Sequence, residues 1–169
     1  IGDYVWNDLD IDGIQDSNEP GIDDITVELY TCDETFISST VTSGGGYYEF
    51  LDIVPGSYYL KFIEPSDYVI TLQDQGGDDT TDSDADQTTG ATICTDLGSG
   101  ENDDTFDAGM YQQATIGDCV WEDLDGDGIQ DFNAKGSNEY GIDDVIVELF
   151  NCDDIYIDST ITSGGGYYE

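Results

Sequence analysis

The chain has 169 residues, with 40 Asp and Glu against two Lys and neither Arg nor His, giving a formal net charge of −38. Two lysines cannot neutralise a phosphate backbone or an anionic bilayer surface, so nucleic acid and membrane surfaces are set aside as partners and cations come forward. Without His there is no imidazole base, no Ser-His-Asp or Cys-His pair and no His-ligated metal, and the sequence reads as non-enzymatic.

Such acidity usually accompanies disorder. Here, however, hydrophobic residues make up 37% and aromatic residues 12% of the chain, 12 of them Tyr, and they fall in strand-length runs. In chain order these runs predict strands over 1–6, 25–30, 36–42, 47–51, 57–63, 68–72, 91–95 and 105–111. Over 25–30, Ile25, Val27 and Leu29 share one face and Thr26, Glu28 and Tyr30 the other, the half-buried antiparallel pattern. Gly44-Gly45-Gly46, Pro55-Gly56 and Gly76-Gly77 punctuate the runs as turns, and no window carries a 3.6-residue period. Seven or eight short strands in about 112 residues predict an all-β antiparallel sandwich. The pairs Tyr47-Tyr48, Tyr58-Tyr59 and Tyr167-Tyr168 would each put one ring in the core and one outside.

The opening then recurs. IGDYVWNDLDIDGIQD (1–16) returns as IGDCVWEDLDGDGIQD (116–131), identical at 13 of 16 positions. Five additional residues follow (132–136), after which 17–33 is echoed by 137–153 and TSGGGYYE recurs up to Glu169. A period near 115 residues is domain-sized, so the expectation is a tandem array: a complete unit over 1–112, a joint over 113–115, and the first part of a second unit over 116–169. The second unit would present an uncovered apolar face. The sequence is therefore expected to be a segment of a longer, processed array, or else a neighbouring chain supplies the missing strands and builds a filament. Nothing at Ile1 resembles a signal peptide, and no run approaches the length of a membrane span.

The acid divides into 30 Asp and 10 Glu, clustered between the strand runs. Asp8, Asp10, Asp12, Asp16 and Glu19 occupy positions 1, 3, 5, 9 and 12 of a loop with Gly13 at 6 and the Ile14 carbonyl at 7. This is the spacing of an EF-hand calcium loop, in which alternate oxygens converge on one Ca²⁺ and Gly permits the turn. The second unit repeats it with Asp123, Asp125, Asp127, Gly128, the Ile129 carbonyl and Asp131. Ala134 stands at position 12, and Glu139, counterpart of Glu19, is the candidate closing acid. The flanking elements are strands, so calcium here would cement the chain and not throw a helical switch. A second cluster, Asp78, Asp79, Asp82, Asp84 and Asp86, places carboxylates at alternate positions of an extended segment. Asp23, Asp24, Asp103, Asp104, Asp143 and Asp144 are second-tier candidates. With so many carboxylates, a pair at glycosidase separation carries no catalytic information.

Four cysteines allow three pairings. If the strands ending in Cys152 and starting at Cys119 run antiparallel, those two would bond and Cys32 would pair with Cys94; a bond between Cys94 and Cys119 is the rival. Either implies an oxidising, extracellular setting, where calcium is abundant.

IGDYVWNDLDIDGIQDSNEPGIDDITVELY, GGGYYEF, VPGSYYLKF and DDTTDSDADQTTG resemble the B repeats of serine-aspartate-repeat surface adhesins, related to collagen-adhesin B domains. The resemblance implies a transthyretin-like, Ig-like sandwich, calcium in the acidic loops (Asp8, Asp10, Asp12, Asp16, Glu19 and the 78–86 run) and a stalk or spacer role on a cell surface. The cysteines depart from it, and the Lys-Asn isopeptide bond of some relatives lacks an Asn in TFDAGMY. The expected function is a calcium-stabilised structural repeat of an extracellular cell-surface protein or fibre, whose partners are calcium and neighbouring repeats or copies of itself. The alternative is an adhesin or glycan-binding module using exposed tyrosines. A third reading, halophilic hydration, predicts acid spread over strands as well as loops.

Overall fold

A computed structural model describes residues 1–131 and 138–169 and contains strands but no helix among them. Contacts divide the chain into two units, Ile1–Gln113 and Ala114–Glu169.

Unit 1 holds β1 (Gly2–Asn7), β2 (Thr26–Thr31), β3 (Phe36–Val41), β4 (Tyr47–Glu49), β5 (Gly56–Ile63), β6 (Tyr68–Ile70), β7 (Thr95–Leu97) and β8 (Ala108–Gln112). They form two four-stranded sheets, ordered β4-β1-β8-β6 and β3-β2-β5-β7, the expected Ig-like sandwich. Alternation does the sorting. Val27 and Leu29 of β2 meet Leu60 and Phe62 of β5 on the inner face, and Val5, Ile70 and Met110 close the core from the other sheet. Tyr48 is in the core while Tyr47 is 59% exposed, as the period of two requires. The open end of the β2-β3 hairpin is pinned by a glycine turn. Asp23 accepts the amides of Gly45 and Gly46 at 2.8 Å, and Gly46 has φ +94 with the Val5 carbonyl where a Cβ would stand.

Two expectations need correction. The sandwich is not wholly antiparallel, because β1 and β8 run parallel with Val5 opposite Ala108. A parallel pair needs a long crossover, and the first and last strands of the unit have the rest of the unit between them. The strand expected over 91–95 lies instead at Thr95–Leu97. Upstream of it, the Thr92 hydroxyl accepts the Leu60 amide at 3.1 Å in place of a ladder carbonyl, and regular pairing with β5 begins only at Thr95 opposite Tyr58.

Unit 2 holds β9 (Asp118–Cys119), β10 (Ile146–Phe150), β11 (Tyr156–Ile161) and β12 (Tyr167–Tyr168), paired β10-β11 and β12-β9. It repeats unit 1 in detail. The β10-β11 register slips between Leu149 and Phe150 as β2-β3 slips between Leu29 and Tyr30, and Asp143 accepts the Gly165 and Gly166 amides as Asp23 accepts those of Gly45 and Gly46. What differs is cover. Leu29 is 0% exposed and its counterpart Leu149 is 42% exposed.

A disulfide joins Cys32 to Cys94, with 5.8 Å between Cα atoms, and closes 62 residues of unit 1. The expected Cys119–Cys152 bond is absent; both are free thiols. The reason is topological. Cys119 lies in β9, which pairs with β12, whereas Cys152 follows β10, which pairs with β11, so the two strands are not neighbours in one sheet.

Candidate metal centre

The loop after β1 is held by its own carboxylates. The Asp8 amide donates to the Met110 carbonyl of β8, which fixes where the loop leaves the sheet. Asp8 Oδ1 accepts the Ile11 amide at 2.6 Å, and Oδ2 accepts the Gly13 amide at 2.9 Å and the Thr71 hydroxyl. Closing this ring requires the left-handed region at Ile11 (φ 63) and Gly13 (φ 79). Glu19 reaches back across the loop: Oε1 accepts the Leu9 amide at 2.7 Å and Oε2 the Asp16 amide at 2.9 Å. Asp8 and Glu19 are buried, and with Asp10 they bring three carboxylate oxygens within 4.8 Å of one another. Asp12 caps the Ile14 amide at 2.8 Å. Loss of water and the like charges of Asp12, Asp8 and Asp16 raise the Asp10 carboxyl above its ordinary range.

Unit 2 builds the same ring. Asp123 accepts the Gly126 and Gly128 amides at 2.7 and 3.0 Å, Asp127 caps Ile129 at 2.8 Å, and Glu139 accepts Leu124 and Asp131 amides at 2.8 and 3.1 Å. Asp123, Asp125 and Glu139 again lie within 4.8 Å. Glu139 thus stands where Glu19 does. The inserted residues 132–136, with Ala134, fall outside the described residues.

The second acidic cluster is stitched to the first loop, which linear spacing did not reveal. Ile14 and Asp82 form an antiparallel bridge, with the Gln15 amide on the Thr81 carbonyl at 2.7 Å and the Ser83 amide on the Gly13 carbonyl at 3.1 Å. Within the cluster the acids divide. Asp78 accepts the Thr80 hydroxyl and Asp86 the Thr89 hydroxyl, and these bonds, with backbone amides, hold both carboxyls below the usual range. Asp79 is exposed. Asp82 and Asp84 are buried: loss of water, then the charges of Asp79 and Asp74, raises Asp82, and loss of water pushes Asp84 up to about 7.

The second-tier acids serve turns. Asp23 and Asp143 anchor the glycine turns, Asp24 and Asp144 adopt φ 67 and 62, and Asp103 accepts the Thr105 hydroxyl at 2.9 Å. Asp104 stands near Asp3 and raises its carboxyl, after loss of water. One acid was missed. Asp107 at the mouth of β8 is 0% exposed, and loss of water, then the charges of Asp3 and Asp84, pushes its carboxyl up to about 9. The signal was available as a lone acid inside the apolar run TFDAGMY.

A sandwich that gathers carboxylates into a glycine-permitted loop beside its first strand, and does so twice in one chain, defines a tandem acid-loop β-repeat. The chain belongs to the SdrD B-like domain family, which matches residues 1–110 and 114–169. It is 39% identical over its whole length to serine-aspartate repeat-containing protein F of Staphylococcus epidermidis and to serine-aspartate repeat-containing protein E of Staphylococcus aureus (strain USA300). It spans 10% and 14% of the length of these relatives. The family is defined by a repeat domain and not by a reaction.

Proposed function

We propose that the chain is a non-enzymatic, calcium-stabilised structural repeat, serving as a stalk or spacer in an extracellular cell-surface protein or fibre. One observation carries the calcium reading: two loops separated by about 115 residues each draw an Asp, a second Asp and a distant Glu together, although like charges at such range repel. A hard divalent cation with oxygen ligands turns that repulsion into attraction. Asp8, Asp10, Asp12, Asp16 and Glu19 would hold it in unit 1, with Asp123, Asp125, Asp127, Asp131 and Glu139 in unit 2, each assisted by loop carbonyls such as those of Ile14 and Ile129. Because the loop joins β1 to residues after β6 through Thr71, an ion there would tie sheet ends together. Family membership and the repeat architecture support the spacer role, and the disulfide supports an oxidising location. Melting at low ionic strength with calcium and then with EDTA tests the reading. A fall of about 10 °C is expected, from roughly 2.7 kcal/mol at a hundredfold excess over Kd; an unchanged melt defeats it.

Two observations favour second readings. The exposed apolar face of unit 2, with Leu149 at 42%, is suited to strands of a neighbouring copy, which would build a fibre. Sedimentation that stays monomeric at high concentration counts against it. On the outer face of unit 1, Tyr30 stacks on Tyr59 with 5.2 Å between centroids, a platform of the kind sugars use. A glycan array without signal removes that reading.

A further inference from the structure

We propose that the open edge of β3 is a lateral contact surface, on which a second copy of this chain adds its own β3 about a two-fold axis at Ser39. The surface is separate from the open face of unit 2 and from the acidic loops. β3 ends its sheet, with β2 on one side and no strand on the other. The other end strands of unit 1, β4, β6 and β7, have three residues each, whereas β3 has six. An open edge of that length is a template for another strand unless charge or proline blunts it. β3 carries neither. The segment from Thr35 to Tyr48, which holds β3, the glycine turn and the start of β4, is the longest stretch of the chain without a charged side chain. Phe36, Ile37 and Val41 on it are each about half exposed.

The occupant follows from charge and register. Copies that each carry a net charge of −38 repel one another, and an uncharged strand is where they can touch without setting carboxylate against carboxylate. The Thr42 amide donates to the Ile25 carbonyl and the Thr42 carbonyl accepts the Asp24 amide, both at 2.9 Å. Alternation then turns the amides and carbonyls of Thr40 and Ser38 toward β2 and those of Val41 and Ser39 outward. Two outward-facing Ser39 residues can therefore exchange both bonds across a two-fold axis, an isologous contact. That register sets Ser38 opposite Thr40 and Ile37 opposite Val41, so apolar meets apolar at both ends and hydroxyl meets hydroxyl between them. The register slip against β2 falls at the Ile37 end and leaves Ser38 to Val41 regular. Unit 2 shows what excludes the pairing. Asp158 stands in β11 where Ser38 stands in β3, and the same two-fold would bring two copies of Asp158 diagonally across from one another.

Sedimentation velocity of the full chain, with Cys119 and Cys152 alkylated, tests the contact across a concentration series at about 0.05 M and about 0.5 M salt. The expected result is a monomer–dimer equilibrium that stops at the dimer and strengthens at the higher salt, where the remaining acid is screened. Ser39→Pro removes an outward amide and no bond to β2, and Ile37→Glu sets a carboxylate opposite Val41 at each end of the contact. Each variant should leave the chain monomeric with its melting temperature little changed. A wild-type chain that is monomeric at every concentration and salt, or an Ile37→Glu chain that associates as the wild type does, overturns the proposal. Association lost in Leu149→Glu but kept in Ile37→Glu belongs to the open face of unit 2 and overturns it as well. If Ser39→Pro fails to fold, Ile37→Glu alone decides.

Discussion

Asp8 and Asp123 occupy the same place in two copies of one loop and receive the same two backbone amides, yet Asp8 is buried and Asp123 is exposed. The difference is the Thr71 hydroxyl and the Met110 carbonyl, both supplied from the later half of unit 1. The ring of hydrogen bonds is therefore local, written in the residues between the first two strands, whereas the burial of Asp8 depends on the later strands of the sandwich. The same division runs through the core. Registers, bulges and glycine turns recur in unit 2 without β5 to β8 counterparts, but the packing that makes Leu29 inaccessible does not. Local chemistry sets the shape of each piece, and the later strands cover the apolar face of unit 1.

The sharpest way to break this comparison is through sulfur. Cys32–Cys94 closes 62 residues, worth about 4 kcal/mol in the chain-entropy description. Reduction, or Cys94→Ser, should lower the melting temperature of unit 1 by roughly 15 °C. Alkylation followed by mass measurement should find two reactive thiols before reduction, Cys119 and Cys152, and four after it. Fewer than two before reduction would restore the pairing first expected for unit 2.

Next in size is the core. Leu29→Ala should cost about 3 kcal/mol, since it opens a cavity between two sheets. Leu149→Ala, already 42% exposed, should cost under about 0.5 kcal/mol. Equal losses in chemical denaturation would mean that unit 2 is covered in solution, as the fibre reading requires.

Protons sharpen the acidic end. Asp84 and Asp107 carry folded-state values of about 7 and about 9 against an ordinary 3.8, so without metal the folded chain binds more protons than the unfolded one. Their contribution is complete below the ordinary value and is lost as pH rises through the folded values. Chelated protein should melt several degrees higher near roughly pH 5 than near roughly pH 8. A chelated protein more stable at the higher pH would contradict the burial of these two groups.

How much of this the sequence disclosed follows the same local-versus-distant line. Asp8, Asp10 and Glu19 were legible because a loop of twelve residues converges by its own spacing, and Glu139 was legible because the residues around it repeat those around Glu19. The alternation of Ile25, Val27 and Leu29 announced the core face of β2. Asp107 was not legible as a buried, hydrogen-bonded acid, since its neighbours Tyr4 and Asp84 lie 103 and 23 residues away. The side-chain turns that Asp78 and Asp86 make with Thr80 and Thr89 were legible in principle, since a threonine stands two or three residues beyond each. The thiol pairing failed because consecutive strands were taken as sheet neighbours, whereas the chain alternates between sheets.

The smallest effect is the most direct test of local encoding. Glu19 and Glu139 accept equivalent amides, from Leu9 and Asp16 in one unit and from Leu124 and Asp131 in the other, and both are buried. Glu→Gln turns one accepting oxygen into a donor and strands one amide, a loss of about 1 kcal/mol. In calcium-free protein, hydrogen exchange at Leu9 and Asp16 should therefore quicken several-fold in Glu19→Gln, and exchange at Leu124 and Asp131 by a similar factor in Glu139→Gln. Asp8→Asn and Asp123→Asn should differ, because only Asp8 also holds Thr71. If instead the two Glu variants differed as widely as the two Asp variants, the ring would depend on the surrounding sandwich, and the loop could not be treated as a self-contained cation cradle copied from one repeat to the next.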